Sequence, residues 1–192
     1  MNVFDFDRTV INDDSTKLFL LYCLRRFPRA FESELGGIGT GLVRYLTGKI
    51  SFEGFKESMF GFLKYVPDID AYVQSFWNEN MDRIEEYYLE IQKADDIIIS
   101  ASPDFLVRPM AERLGVQLIA TQMTKESGII NGVNCKGKEK VRRFRELYPD
   151  GYVDAFYSDS LTDAPMARIA ERAFLVVNHR PENWPDFNPS GI

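Results

Sequence analysis

The chain has 192 residues, 45% apolar and 27% charged, which is the profile of one folded globular domain or of a domain with a small insert. A formal charge of −6 argues against a protein that tracks nucleic-acid phosphates, and the longest apolar run, Leu18 to Leu24, falls far short of a bilayer-crossing helix. One histidine, His179, and two cysteines, Cys23 and Cys135, are too few for a thiolate–imidazole zinc site or a disulfide framework.

Val3 to Asp7 opens with β-type residues and turns polar, as a short buried strand ending in acids does. The early Asp5 and Asp7 do not fit a secretory leader, so a cytoplasmic, reduced protein is expected. Residues 15–27 and roughly 40–65 have helical spacing; Phe52, Phe55, Met59, Phe62 and Val66 recur at three and four. Gly36 to Gly41 fits neither phosphate-binding glycine pattern and is predicted to be a flexible link between helices. Helices follow over Asp68–Trp77 and Met81–Lys93, broken from the preceding run by Pro67. Ile97-Ile98-Ile99-Ser100 suits a buried parallel strand, and Ser102-Pro103-Asp104 a helix start. Gln117–Thr124 and Ile129–Asn134 form a predicted hairpin across Ser127-Gly128. A helix over Lys138–Leu147, a strand over Tyr152–Tyr157, a helix start at Ser160-x-x-Asp163 and a strand over Phe174–Val177 complete the pattern. The proline-containing tail from Arg180 shows none.

This order predicts an α/β fold: a doubly wound parallel sheet with an inserted helical cap. Residues 1–12 and 81–192 would form the core, and residues 13–80 the cap. Ligands of such sheets sit beyond the carboxyl ends of the strands. Asp5 and Asp7, two apart on extended chain, leave on the same side. Close carboxylates repel unless one is protonated or a cation neutralises them, and Mg²⁺ is the natural hard ion for few carboxylates plus a phosphate. The plainer alternative is two strand-end acids facing solvent. Ser100 ends an apolar strand where a hydroxyl can meet an anion, or it serves as a turn residue. Lys136 and Asp163 are a possible ion pair, Asp159 a further metal ligand; surface lysine and helix-capping roles are the alternatives.

Val3-Phe4-Asp5-Phe6-Asp7-Arg8-Thr9-Val10 resembles the first motif of the haloacid dehalogenase-like (HAD) phosphohydrolases. Ile97 to Pro103 resembles the second, Lys136-Gly137 the third and Ser158-Asp159-Ser160-Leu161-Thr162-Asp163 the fourth. The cap directly after the first motif is similar to the phosphoserine-phosphatase-like branch. The resemblance implies a Mg²⁺-dependent phosphatase of small phosphomonoesters. Asp5 would be the nucleophile that forms an aspartyl-phosphate, and Asp7 the general acid and base. Mg²⁺ would be held by Asp5, Asp159 and the backbone carbonyl of Asp7. Ser100 and Lys136 would bind the phosphate, with Asp163 orienting the lysine. Lys140 is the alternative lysine; Lys136 is preferred because Lys-Gly matches the motif.

Some positions depart from the family pattern. Arg8 stands where small residues are common, and Ser158 replaces a usual glycine. Asp14 stands where phosphoserine-cleaving members carry a Glu for the substrate amine, and remains a candidate substrate contact. Met59 stands where they carry an Arg for the substrate carboxylate. A thioether cannot replace that bidentate pair, so phosphoserine is not expected to be the main substrate. Arg44 and Lys49 are alternative anion contacts. A small-molecule phosphomonoester is the expected partner, with no nucleic acid or membrane, and the chain is expected to be a monomer or weak homodimer. A phosphotransferase or mutase, or a non-catalytic phospho-acceptor, is the competing reading.

Overall fold

The computed structural model describes residues 1–185. Its elements in chain order are β1 (Asn2–Phe4), α1 (Ser15–Arg26), α2 (Pro28–Leu46), α3 (Phe52–Phe60), α4 (Ile69–Asn78) and α5 (Glu86–Ile91). Then come β2 (Ile97–Pro103), α6 (Asp104–Leu114), β3 (Gln117–Thr121), β4 (Met123–Thr124), β5 (Ile129–Ile130), α7 (Lys138–Leu147) and β6 (Val153–Ser158). The last are α8 (Ala164–Arg168), β7 (Ala170–Val177) and β8 (Arg180–Asn183). Among the described residues no helix is long and apolar enough to cross a membrane.

Six strands form one sheet in the order β3-β2-β1-β6-β7-β8, parallel except for the β7–β8 pair. This is the α/β doubly wound parallel sheet expected from the strand and helix order. β1 occupies the middle because its residues are buried on both faces, Val3 and Phe4 being fully covered. Its register sets Phe4 beside Ile98 of β2 and Tyr157 of β6. The segments after β1, β2 and β6 therefore emerge at one edge. Asp5 continues that alignment, its amide donating to the Tyr157 carbonyl at 2.8 Å.

α1 to α4 follow β1 and precede α5 and β2. They do not form a detached layer. Phe19 of α1 and Phe76 and Trp77 of α4 share one buried cluster with Leu106, Val107 and Met110 of α6. The Trp77 Nε1 donates to the Leu106 carbonyl at 2.7 Å.

Several local expectations are corrected. Gly36 to Gly41 is not a link; it lies inside α2. The helix runs through it because α2 packs closely on α3: a Cβ at Gly41 would meet Ser58 Oγ at 2.6 Å. The break comes later, at Gly48, which has φ 68°. The residues from Gln117 to Thr124 do not form one hairpin arm. β3 joins the main sheet beside β2, and only Met123–Thr124 pairs with Ile129–Ile130. The tail contributes β8, paired antiparallel with β7. Asn178 and His179 turn that hairpin, with φ 48° and 67°. Positive φ at both residues of a two-residue turn matches the twist of the strands it joins.

Candidate active site

A cavity of about 510 Å³ opens at the carboxyl ends of β1, β2 and β6. Asp5, Asp7, Asp14, Asp159 and Asp163 all line it. Lys56 and Met59 of α3 contribute to its wall, as do Leu20 and Leu21 of α1.

Asp5 Oδ1 accepts from the Phe6 amide at 2.8 Å and lies 2.9 Å from Lys140 Nζ. Its Oδ2 has one long contact, from the Ser158 hydroxyl at 3.4 Å. Lys140 also donates to Asp163 Oδ2 at 2.6 Å. The Lys140 and Asp163 side chains are 1% and 2% exposed, so the pair is withdrawn from solvent screening. Burial alone would lower Lys140, but the flanking Asp5 and Asp163 carboxylates more than reverse this and raise it. Burial raises Asp5 to about 7; Lys140 opposes that rise, and Asp163 and Asp7 add to it.

The lysine expected at this position was Lys136, and the geometry assigns the contact to Lys140 instead. Gly137 explains why. With φ 57° it turns the chain so that its own amide donates to Asp163 Oδ1 at 3.3 Å. One turn into α7, Lys140 then points inward, whereas Lys136 lies exposed above the Phe52 ring at 6.0 Å. Lys136 still lines the cavity but forms no pair with Asp163.

Asp7 Oδ1 accepts from the Ser15 amide at 2.7 Å, and Oδ2 accepts from the Ser102 hydroxyl at 2.5 Å. Burial is the main cause of the rise in its pKa, with Asp14 adding to it and the Ser102 and Ser15 hydrogen bonds opposing it. Of the two serines that end β2, the one lining the cavity is thus Ser102, where the sequence pointed to Ser100. Ser100 is fully buried, its Oγ accepting from the Ser102 amide at 3.0 Å, and it is not part of the cavity wall. A register shift between Ser100 and Pro103 breaks the strand alternation and brings Ser102 forward.

Thr9 fixes the fourth segment: the Asp159 amide donates to its hydroxyl oxygen at 3.0 Å. Ser158 takes up the space that a glycine would leave by joining the network. It is fully buried, and its hydroxyl lies 3.0 Å from Asp163 Oδ2. Arg8, at φ 54°, bridges Asp14 at 3.6 Å and Asp159 at 3.5 Å on the cavity rim. Asp14 also caps α1, accepting from the Lys17 amide at 2.8 Å. Burial raises Asp159, while Arg8 counteracts this. Arg44 and Lys49 are exposed and outside the cavity wall.

The residues expected to hold a metal, Asp5, Asp7 and Asp159, all line the cavity. Among the described residues no three His, Cys, Asp or Glu side chains gather as a metal cluster. The Asp7 carboxylate is taken by Ser15 and Ser102, so only its backbone carbonyl could serve as a ligand. That carbonyl enters no hydrogen bond among the described residues. Two carboxylates, Asp5 and Asp159, with one carbonyl form an all-oxygen set. Such a set suits Mg²⁺, which keeps several waters and takes few protein ligands.

No motif of the sequence marks Lys56. Its signal was a lysine at position i+4 from Phe52 and i−4 from Phe60, on the apolar side of a helix. Asn134, another cavity residue, lies between β5 and α7 and opens the Asn134-Cys135-Lys136-Gly137 stretch that resembles the phosphoserine-phosphatase-like branch.

Likeness to known proteins gives the family. Residues 3–168 match the family model of the haloacid dehalogenase-like hydrolases. A protein named CicA from Caulobacter vibrioides is 29% identical over 93% of this chain and 86% of its own length. A protein from Mycobacterium tuberculosis, named as a probable phosphatase, is 37% identical over 43% of this chain and 31% of its own length. The fold is similar to that of a phosphoserine phosphohydrolase-like protein from Francisella tularensis. That structure has a TM-score of 0.54 at 20% identity, covering 91% of this chain and 87% of that one.

Proposed function

The chain belongs to the haloacid dehalogenase-like hydrolases, and from that premise we propose that it is a Mg²⁺-dependent phosphatase of small phosphomonoesters acting through an aspartyl-phosphate. The observation that carries this reading is the ion-pair chain Asp5–Lys140–Asp163 in one cavity with Asp7. The chain leaves a buried carboxylate with Oδ2 nearly free beside a fixed ammonium.

In the proposed cycle Asp5 attacks phosphorus in line with the leaving alcohol. The bond from phosphorus to the alcohol oxygen breaks, and that oxygen takes the proton of Asp7. Burial favours the protonated form of Asp7 that this step requires. Asp7, now ionised, accepts a proton from water; the hydroxide attacks phosphorus, and the bond to Asp5 breaks. Phosphate leaves, with Asp5 ionised and Asp7 protonated again. Lys140 holds Asp5 in place and balances charge on the phosphoryl group, and Asp163 holds Lys140. Ser102 orients Asp7. The Asp5 and Asp159 carboxylates and the Asp7 carbonyl would hold Mg²⁺, which when bound supplies charge neutralisation at the phosphoryl oxygens.

Phosphoserine is not the expected main substrate. Met59 lines the cavity and offers no bidentate partner, and Asp14 is engaged by Arg8. The test is phosphate release from sugar phosphates, phospho-amino acids, polyol phosphates and nucleotides, with and without Mg²⁺. Asp5→Asn should fold and lose turnover; turnover at the parent rate would refute the assigned nucleophile.

A further inference from the structure

We propose that Lys56 binds an anionic group on the alcohol portion of the substrate, so that the preferred substrates are phosphomonoesters of alcohols carrying a carboxylate or second phosphate and no ammonium. This rests on the phosphatase reading and narrows it to a substrate class.

Lys56 comes from α3 and is 4% exposed, yet it lines the cavity. Its Nζ donates to the Ala101 carbonyl at 2.6 Å and to Asn134 Oδ1 at 3.3 Å. Neither acceptor is charged, and no carboxylate among the described residues is at ion-pair distance from it. The other inner cations are already committed, Lys140 to Asp5 and Asp163, and Arg8 to Asp14 and Asp159. A buried ammonium without a counter-ion is costly to keep. The Thr121 hydroxyl lies 2.7 Å and 2.9 Å from the same two oxygens and donates to one of them at a time, so either oxygen keeps a donor when the ammonium turns to a ligand. Facing a cavity, an ammonium held by neutral acceptors is positioned for an anion that enters with the ligand.

The position relative to the chemistry distinguishes the alcohol portion from the transferred phosphoryl group. Lys56 is bonded to Ala101, the neighbour of Ser102, and Ser102 bonds Asp7, the proposed proton donor to the leaving oxygen. In the proposed cycle the phosphoryl group is met by Lys140, which lies 2.9 Å from Asp5. Exposed Lys17 and Lys136 on the outer wall add positive charge around the same space. The carboxylate best placed to receive an ammonium, Asp14, is paired with Arg8. The cavity thus favours a second negative charge and disfavours a positive one.

Three compounds of similar shape separate these features: glycerol 3-phosphate, 3-phosphoglycerate and phosphoserine. The parent protein with Mg²⁺ should favour 3-phosphoglycerate over each of the others by about tenfold or more in kcat/KM. Lys56→Met should reduce the preference over glycerol 3-phosphate by about tenfold, mainly through KM, and Lys56→Arg should restore most of it. Equal losses on 3-phosphoglycerate and glycerol 3-phosphate, or no preference in the parent, would overturn the assignment. Preference for phosphoserine would overturn the exclusion of the ammonium. If the parent releases phosphate from none of the three and not from p-nitrophenyl phosphate, the phosphatase reading itself has failed. Lys56 is then judged by heat protection: Lys56→Met should weaken protection by 3-phosphoglycerate more than by glycerol 3-phosphate, and equal weakening would overturn it.

Discussion

Lys140 and Asp163 form a 2.6 Å ion pair between α7 and the segment after β6, and the same ammonium lies 2.9 Å from Asp5. One lysine therefore serves a nucleophile and a positioning acid at once. Replacing it removes the ammonium that, among the described residues, pairs with both the Asp5 and the Asp163 carboxylates. Lys140→Met should cut phosphate release by about 10²–10³-fold and lower stability by roughly 3–5 kcal/mol. Lys136→Met should retain far more activity, because its ammonium is exposed. Steady-state rates and urea unfolding of both variants check this; a larger rate loss at Lys136 would contradict it.

Asp159 meets the site through a hydroxyl tether, its amide donating to Thr9. Asp159→Asn removes one of two carboxylates from the proposed Mg²⁺ set. Chelation of the parent with EDTA should abolish phosphate release, and added Mg²⁺ should restore it. The variant should need a higher Mg²⁺ concentration for half-maximal rate. Full activity in EDTA would refute the metal requirement.

Ser102 orients Asp7 with a hydrogen bond of 2.5 Å. Ser102→Ala should reduce kcat by about tenfold, a fraction of the 10²–10⁴-fold that general acid–base catalysis supplies. Removing a bond that favours the ionised form of Asp7 should shift upward the alkaline limb of the rate profile, where the protonated acid is lost. Ser100→Ala should affect stability more than rate, since Ser100 is buried outside the cavity wall. Rates over pH 5–8 separate the two serines, and a dominant kinetic effect at Ser100 would reverse the assignment.

Burial lowers Lys56 to about 8 from its ordinary 10.5, although Asp7, Asp14, Glu53 and Cys135 pull the other way. The folded state thus binds its proton less tightly than the unfolded chain. Its charged form carries a stability cost below pH 8 that is relieved as pH rises from 8 towards 10.5, with an upper limit of roughly 3 kcal/mol. Lys56→Met should remove that cost, so its stability advantage should be largest near pH 7 and shrink towards pH 10. Urea unfolding at several pH values measures the gap; one that does not change with pH would contradict this account.

α2 contains glycines with opposite surroundings. Gly39 has nothing within 4 Å of a Cβ position, whereas at Gly41 that atom would meet Ser58 at 2.6 Å. Gly39→Ala should stabilise by about 0.5–1 kcal/mol through helix propensity. Gly41→Ala should destabilise by about 1–3 kcal/mol through overpacking. Denaturant midpoints of the two variants should move in opposite directions, and movement in the same direction would refute the packing account.

The site was legible where chemistry and strand endings coincide. Asp5, Asp7 and Asp159 follow β-type runs, and the register of β1 brings them to one cavity. It was not legible where backbone geometry decides. Lys136 matched a two-letter pattern, but the positive φ of Gly137 passes the inward position to Lys140. Ser100 ended the apolar run, but a register shift brings Ser102 forward. Gly36 to Gly41 looked like a break because the sequence does not reveal that Ser58 approaches Gly41. β8 was hidden because its turn uses Asn178-His179, where Asn-Gly would have been the familiar signal.

Asp5 and Ser158 lie 153 positions apart in the chain yet belong to adjoining strand ends. The ribosome delivers the central strand before either of its neighbours, β2 first and β6 much later. At about 5–20 residues per second that interval is roughly 10–30 s. Phe4, fully covered in the finished molecule, spends it without Tyr157, its partner on β6. Translation that stops before β6 therefore produces a sticky fragment with no partial activity, and the nascent chain must be shielded until the sheet can close.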